Sequence, residues 1–262
     1  MPRLVIIGLV AGVFSALFGV GGGIVTVPLL IALAAVPARC ATGTSLAAIG
    51  ITALAGTIFY ASEGELHVGY ALLVGLPAVV GVLIGTALQQ RLPIRALSLG
   101  FAALLAGLGL WLLLGGDGES AATAIDLDAL AVAAALGAGL AAGALSGLFG
   151  VGGGILFVPV LVALGLGQLE AEATSLLAVL PTVAVGAWRQ YGYGNVLPRT
   201  AIVVGLTSVL GVWAGVALAT AADELLLRRL FGLLLLGVAA QFAWRCRRST
   251  AYAPGHERSG NE

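Results

Sequence analysis

The octapeptide LFGVGGGI at residues 17–24 recurs letter for letter at residues 148–155. Each copy sets four glycines in five positions within a long apolar run. Glycine costs about 1 kcal/mol relative to alanine in a helix interior, so a helix entering either copy should stop there. An unsatisfied backbone group in hydrocarbon costs several kcal/mol. A break at membrane depth therefore survives only against protein or a wet cavity, and the two copies are expected to face inward, toward each other.

The membrane setting comes from composition. The chain is 60% hydrophobic and 9% charged, where soluble domains carry about a quarter charged residues. Uncharged runs cover 4–38, 40–62, 66–90, 96–116, 129–169, 173–188, 200–222 and 230–244. Most suit a helix crossing a hydrocarbon core of about 30 Å, which takes about 20 residues. They lack the alternation of a β-barrel strand. Met1-Pro2-Arg3 does not open a cleavable signal, because the apolar run continues through the first glycine block. Cys40 and Cys246 form no C-x-x-C pair, which argues against a disulfide framework or thiol relay. Arg245, Arg247 and Arg248 are a topology signal rather than a nucleic-acid patch. The surroundings are thus a lipid bilayer, with no nucleic-acid partner.

The halves align along most of their length. Residues 12–33 match 143–164, pairing Ser15 with Ser146, Phe18 with Phe149 and Pro28 with Pro159. After a one-residue shift Thr44-Ser45-Leu46 meets Thr174-Ser175-Leu176, and Gly81 and Gly85 meet Gly211 and Gly215. The expected organisation is a first transmembrane repeat at 1–114, an extracytoplasmic linker at 115–128, a second repeat at 129–244 and a cytoplasmic polar tail at 245–262.

Charge sets the expected orientation. If runs 4–38 and 129–169 each enter and return, Arg3, Arg39, Arg91, Arg95, Arg189, Arg199, Arg245, Arg247, Arg248 and Arg258 share the cytoplasmic side. Arg228 and Arg229 alone fall outside, with most of the acids, including Glu170 and Glu172. The 35 residues of run 4–38 would make roughly 52 Å of helix, long for one crossing and short for two. Each half becomes a broken or re-entrant hairpin plus three transmembrane helices. That number of net crossings inverts the second half relative to the first. The expected fold is an all-α membrane protein of two inverted repeats, a plan shared by secondary transporters.

The glycines then suggest chemistry. A short helix starting after Gly21-Gly22-Gly23 or Gly152-Gly153-Gly154 offers free N–H groups and the positive end of its dipole to an anion. Pro28 and Pro159 either sit in the first turn or, if the helix starts earlier, free the carbonyls of Ile24 and Ile155. Ser15, Ser146, Thr44, Ser45, Thr174 and Ser175 can complete the substrate shell without charge. No Asp or Glu falls inside an uncharged run, which disfavours cations and leaves no buried proton relay. A proton would then travel on the substrate, or transport would be uncoupled. Gly81, Gly85, Gly211 and Gly215 fit close helix packing, and Trp188, Tyr191, Tyr193 and Trp244 fit interfacial anchoring. The chain has no lysine, which excludes a P-loop, and no acid near enough to Gly23 for a dinucleotide fingerprint. No residue set suits a cofactor, and lone His67 makes no metal site. Hydroxyls and one cysteine near a run's end do not make the nucleophile or acid–base pair of a membrane enzyme.

Two blocks of the form G-x-x-S-x-L-F-G-V-G-G-G-h-h-x-V-P-h-L (h, apolar), at 12–30 and 143–161, are each followed by a Thr-Ser segment and a G-x-x-x-G-x-x-L helix. In this the chain resembles the TauE/SafE sulfite-exporter family. The resemblance implies a permease moving sulfite, organosulfonates or related sulfur oxyanions across the bacterial cytoplasmic membrane, commonly outward. An anion channel of the same fold is the alternative, and the sequence sets no oligomeric state. Ala16 opposite Gly147, Ile51 opposite Pro181 and Glu65 opposite Asn195 break the internal symmetry.

Overall fold

The computed structural model describes residues 1–92, 94–114 and 129–251, and every regular element among them is an α-helix. The expected linker at 115–128 and the end of the tail, 252–262, lie outside the described residues. The first half contributes α1 (Pro2–Phe18), α2 (Gly23–Leu33), α3 (Ala38–Glu63), α4 (Val68–Arg91) and α5 (Ile94–Leu114). The second contributes α6 (Ala129–Phe149), α7 (Gly154–Ala163), α8 (Gln168–Gly192), α9 (Pro198–Ala221) and α10 (Glu224–Ala251). The last helix runs through the arginine cluster that the sequence assigned to the tail.

Helices α3, α4, α6, α8 and α9 are long and apolar enough to cross a membrane, whereas α1, α2 and α7 are shorter apolar helices. The first pair forms a hairpin. Arg3 donates from Nη1 to the Leu33 carbonyl at 3.2 Å, so the start of α1 lies beside the end of α2. On α4, Leu72, Leu76, Val80 and Ile84 repeat every four residues and all are exposed; on α9, Ile202, Leu206 and Leu210 do the same. Such stripes suit lipid rather than water.

Small residues decide how the helices meet. Methyl groups placed on Gly12 or Gly211 of α1 and α9 would run into the partner's backbone, at Ser208 and Leu9. Gly81, Gly85 and Gly143 are equally closed by Leu140, Ala144 and Ala78 between α4 and α6. The first helix of each half is thus zipped to the fourth helix of the other, and the halves interlock. Rising residue numbers match along both interfaces, so each zipped pair runs parallel. Between them α3 and α8 run antiparallel: the His67 N–H donates to Thr174 Oγ1 at 3.1 Å, and the Leu197 N–H donates to Thr44 Oγ1 at 3.0 Å. Thr52 and Ser208 share a 2.6 Å hydrogen bond that ties α3 to α9.

Candidate functional site: two glycine breaks in contact

Both repeated octapeptides break the chain as their glycines require. α1 ends at Gly19, whose φ is 61°, and α2 starts after Gly22 at φ 79°. In the second copy Gly150, Gly152 and Gly153 hold φ values of 71°, 88° and 87°. Residues with a Cβ avoid this left-handed region, so the sequence specifies the break directly. No side chain caps α2 or α7. The N–H groups of Val25 and Thr26 bond Gly22 O, and those of Leu156 and Phe157 bond Gly153 O. The N–H groups of Gly23, Ile24, Gly154 and Ile155 have no intrahelical acceptor. Pro28 and Pro159 lie inside their helices rather than in the first turn, which frees the carbonyls of Ile24 and Ile155.

The two breaks touch, as the cost of exposing them to lipid requires. A methyl carbon on Gly23 would lie 2.6 Å from Val151 Cα, and one on Gly154 2.6 Å from Val20 Cα. Ile49 and Val179, equivalent positions on α3 and α8, wedge against Gly21 and Gly152. Both breaks are buried among Phe18, Ile24, Val151, Ile155 and Phe157.

The free carbonyls ending α1 and α6 are met by side chains. Tyr60 OH donates to Ala16 O at 2.7 Å, and Ser175 Oγ donates to Gly19 O. On the second break Gln89 Nε2 donates to Leu148 O at 2.7 Å. That amide ends a chain in which Asn195 Nδ2 donates to Gln190 Oε1 at 2.8 Å and Gln190 Nε2 to Gln89 Oε1 at 2.5 Å.

The candidate ligands are therefore sorted into three places. Ser15, Gly21, Gly22, Gly23, Ser146, Gly152, Gly153 and Gly154 gather at the paired breaks. Ser15 Oγ and Ser146 Oγ are buried without a hydrogen-bond partner, and Ser146 lines a small cavity with Gly153, Val151 and Ile155 at the start of α7. Ser175 reaches the first break, while Ser45, on the equivalent turn of α3, is buried with its hydroxyl unpartnered. Thr44 and Thr174 sit away from the breaks, accepting from backbone N–H groups where α9 and α4 begin.

The comparisons with known proteins agree with this architecture. A family model described as Sulfite exporter TauE/SafE matches residues 4–137 and again 135–261. The chain belongs to the TauE/SafE family. Similar proteins include a "Probable membrane transporter protein" of Xylella fastidiosa strain 9a5c, 32% identical over 250 residues (91% of this chain and 93% of the relative). Another is the "Probable membrane transporter protein YdhB" of Bacillus subtilis, 28% identical, covering 81% of this chain and 87% of the relative. No solved structure matches. This TauE/SafE chain is a multi-pass membrane transporter, set in a lipid bilayer and handling a small molecule.

One expectation needs correction. Glu172 of the transporter, placed by its charge in an outer loop, is fully buried in the first turns of α8. Its carboxylate accepts from Gln168 Nε2 at 2.7 Å, and its backbone packs on Gly19. The core is not free of ionisable residues, so a charge at the edge of an apolar run does not mark a solvent-exposed loop. Sequence reasoning also missed Tyr60, Gln89 and Gln190, although Asn195 already stood out as a break in the internal symmetry. His67 lies 3.3 Å from Glu170 in the first turn of α8, where both side chains are partly exposed. Trp188, Tyr191 and Tyr193 are exposed as anchors would be, with the Arg189 guanidinium 5.5 Å from the Tyr193 ring centroid.

Proposed function

We propose that the protein exports a small sulfur-containing oxyanion, such as sulfite or an organosulfonate, across the bacterial cytoplasmic membrane by alternating access around the two glycine breaks. One observation carries this reading: two uncapped helix starts meet in the core beside two buried, partnerless hydroxyls, Ser15 and Ser146. Free N–H groups and hydroxyls are donors, and the dipoles of α2 and α7 favour negative charge. The family's description supplies the sulfur chemistry.

The repeats are 1–114 and 129–244, inverted across the membrane, with the arginine-rich loops cytoplasmic. The antiparallel α3 and α8 support that arrangement. The moving bodies are composites of both repeats, α1 with α9 and α4 with α6, because their glycine contacts leave no room to slide. They rock about the α3–α8 pair. Mutual packing of the breaks favours a carrier over an open channel.

Thermal melting of the detergent-purified protein against sulfite, thiosulfate, sulfate, sulfoacetate, taurine and chloride tests the site. A ligand at a hundred times its Kd stabilises by about 2.7 kcal/mol. One sulfur anion should raise the melting temperature of the parent and not of a Gly22→Ala, Gly153→Ala double variant. No shift with any anion, or equal shifts in both proteins, overturns the reading.

A further inference from the structure

Ser45 and Ser175 occupy equivalent turns of α3 and α8: Ser175 meets the break of the first half, and the segment of α3 just before Ser45 packs on the break of the second. The backbone at Glu172, one turn before Ser175, presses on Gly19; the backbone at Thr42, one turn before Ser45, presses on Gly150. The two contacts match in shape and differ in bonding. Ser175 Oγ donates to Gly19 O, with Glu172 O 3.1 Å away. Ser45 Oγ, also fully buried, has no partner.

A buried hydroxyl without a partner carries a desolvation penalty, and native structures keep few such groups. In inverted repeats that exchange conformations, a bond present in one half is the bond the other half forms in the opposite state. We infer that Ser45 and Ser175 are alternating latches: Ser175 holds the first break in the state described here, and Ser45 takes up the Gly150 carbonyl in the opposite state. This rests on the alternating-access reading above and makes the two serines positioning residues rather than permanent substrate ligands. Ser175 lies toward the face carrying Glu63 and Glu170, and Ser45 toward the face carrying Arg39. The present state is therefore latched against the acidic face.

The two hydroxyls should then act in opposite directions. A single reporter, Val151→Cys in the second break, is built on a background of Cys40→Ala and Cys246→Ala. It is labelled with a membrane-impermeant maleimide in sealed vesicles of both orientations. Ser175→Ala removes the present latch and should speed labelling from the acidic face by about two- to tenfold, the population change that one net hydrogen bond supports. Ser45→Ala removes the opposite latch and should slow labelling from that face by a similar factor. The double variant should return near the parental rate. Both substitutions remove one atom, and melting of each variant checks that folding is kept. Rates that move in the same direction for both variants, or in neither, overturn the latch. Protection of the same cysteine by sulfite in the parent reads the anion site independently, so either idea can fail alone.

Discussion

Two stretches of identical sequence sit in unequal surroundings. At the first break a methyl carbon on Gly22 would lie 2.7 Å from the Ala11 carbonyl oxygen, and Thr26 Oγ1 donates to Gly22 O at 2.9 Å. At the second, the same methyl on Gly153 would meet the Phe157 ring at 3.2 Å and Ala142 O only at 3.5 Å, beside the small cavity at Ser146. Phe157 stands where the first copy has Thr26. The glycines determine that the chain breaks and where. Neighbours up to 156 residues away in sequence, as Ser175 is from Gly19, determine how tightly each break is held.

The largest expected effects test what the breaks share. Gly19 and Gly150 both have positive φ, and a methyl on either would collide with backbone of α8 or α3. Left-handed strain alone is about 1–2 kcal/mol. With backbone displacement added, Gly19→Ala and Gly150→Ala should each destabilise by about 3 kcal/mol or more. Thermal unfolding in detergent, or loss of monodisperse protein, would register that. Mild effects at both positions would mean that the breaks are not held by α3 and α8 as described.

The next test separates the copies. Gly22→Ala adds a backbone clash to its strain, whereas Gly153→Ala meets an aromatic ring that can turn aside. Gly22→Ala should cost about 1 kcal/mol more than Gly153→Ala. Equal melting temperatures would remove the distinction between a tight and a loose break.

How much of this was legible beforehand follows the range of the interactions. The breaks, their mutual contact and the duplication are written in local residue types, because glycine in runs has few other uses inside an apolar segment. The packing glycines were legible as a type, but not their partners: Gly12 meets Ser208 and Gly143 meets Ala78, contacts fixed only when the halves interlock. Glu172 was misplaced because charge was read as a mark of the surface. The fold buries its carboxylate beside Gln168 at the start of α8. The chain Asn195–Gln190–Gln89 was hidden for the reverse reason, since amides do not interrupt an uncharged run. The positions equivalent to Asn195, Gln190 and Gln89 in the other half are Glu65, Tyr60 and Ala219. Clustered departures from the internal repeat were the available signal.

Those departures set a third test. Tyr60 in one half and Gln89 in the other perform the same task, donating to the end carbonyls of α1 and α6. Tyr60→Phe leaves Ala16 O without that donor, and Gln89→Met does the same to Leu148 O with little change in volume. Each should cost about 1–3 kcal/mol, the penalty of a buried polar group left unmade. Gln89→Met should be the worse of the two, because it also strands the Gln190 amide. A neutral result at either site would mean that the carbonyl finds water, which would make that break wetter than the packing implies.

The smallest effect bears on the position where the copies diverge. Thr26→Val deletes a hydroxyl whose acceptor, Gly22 O, already receives the N–H of Val25 and of Thr26 itself. The carbonyl loses its third donor and keeps two, and the valine fills the same space. The expected loss is about 0.5 kcal/mol, at the low end for a single net hydrogen bond. Anion-dependent stabilisation should persist, because the N–H groups of Gly23 and Ile24 are untouched. Loss of anion response in Thr26→Val, with melting otherwise unchanged, would place the Thr26 hydroxyl among the ligands. The first break would then be a binding element in its own right, with chemistry that Phe157 cannot supply to the second.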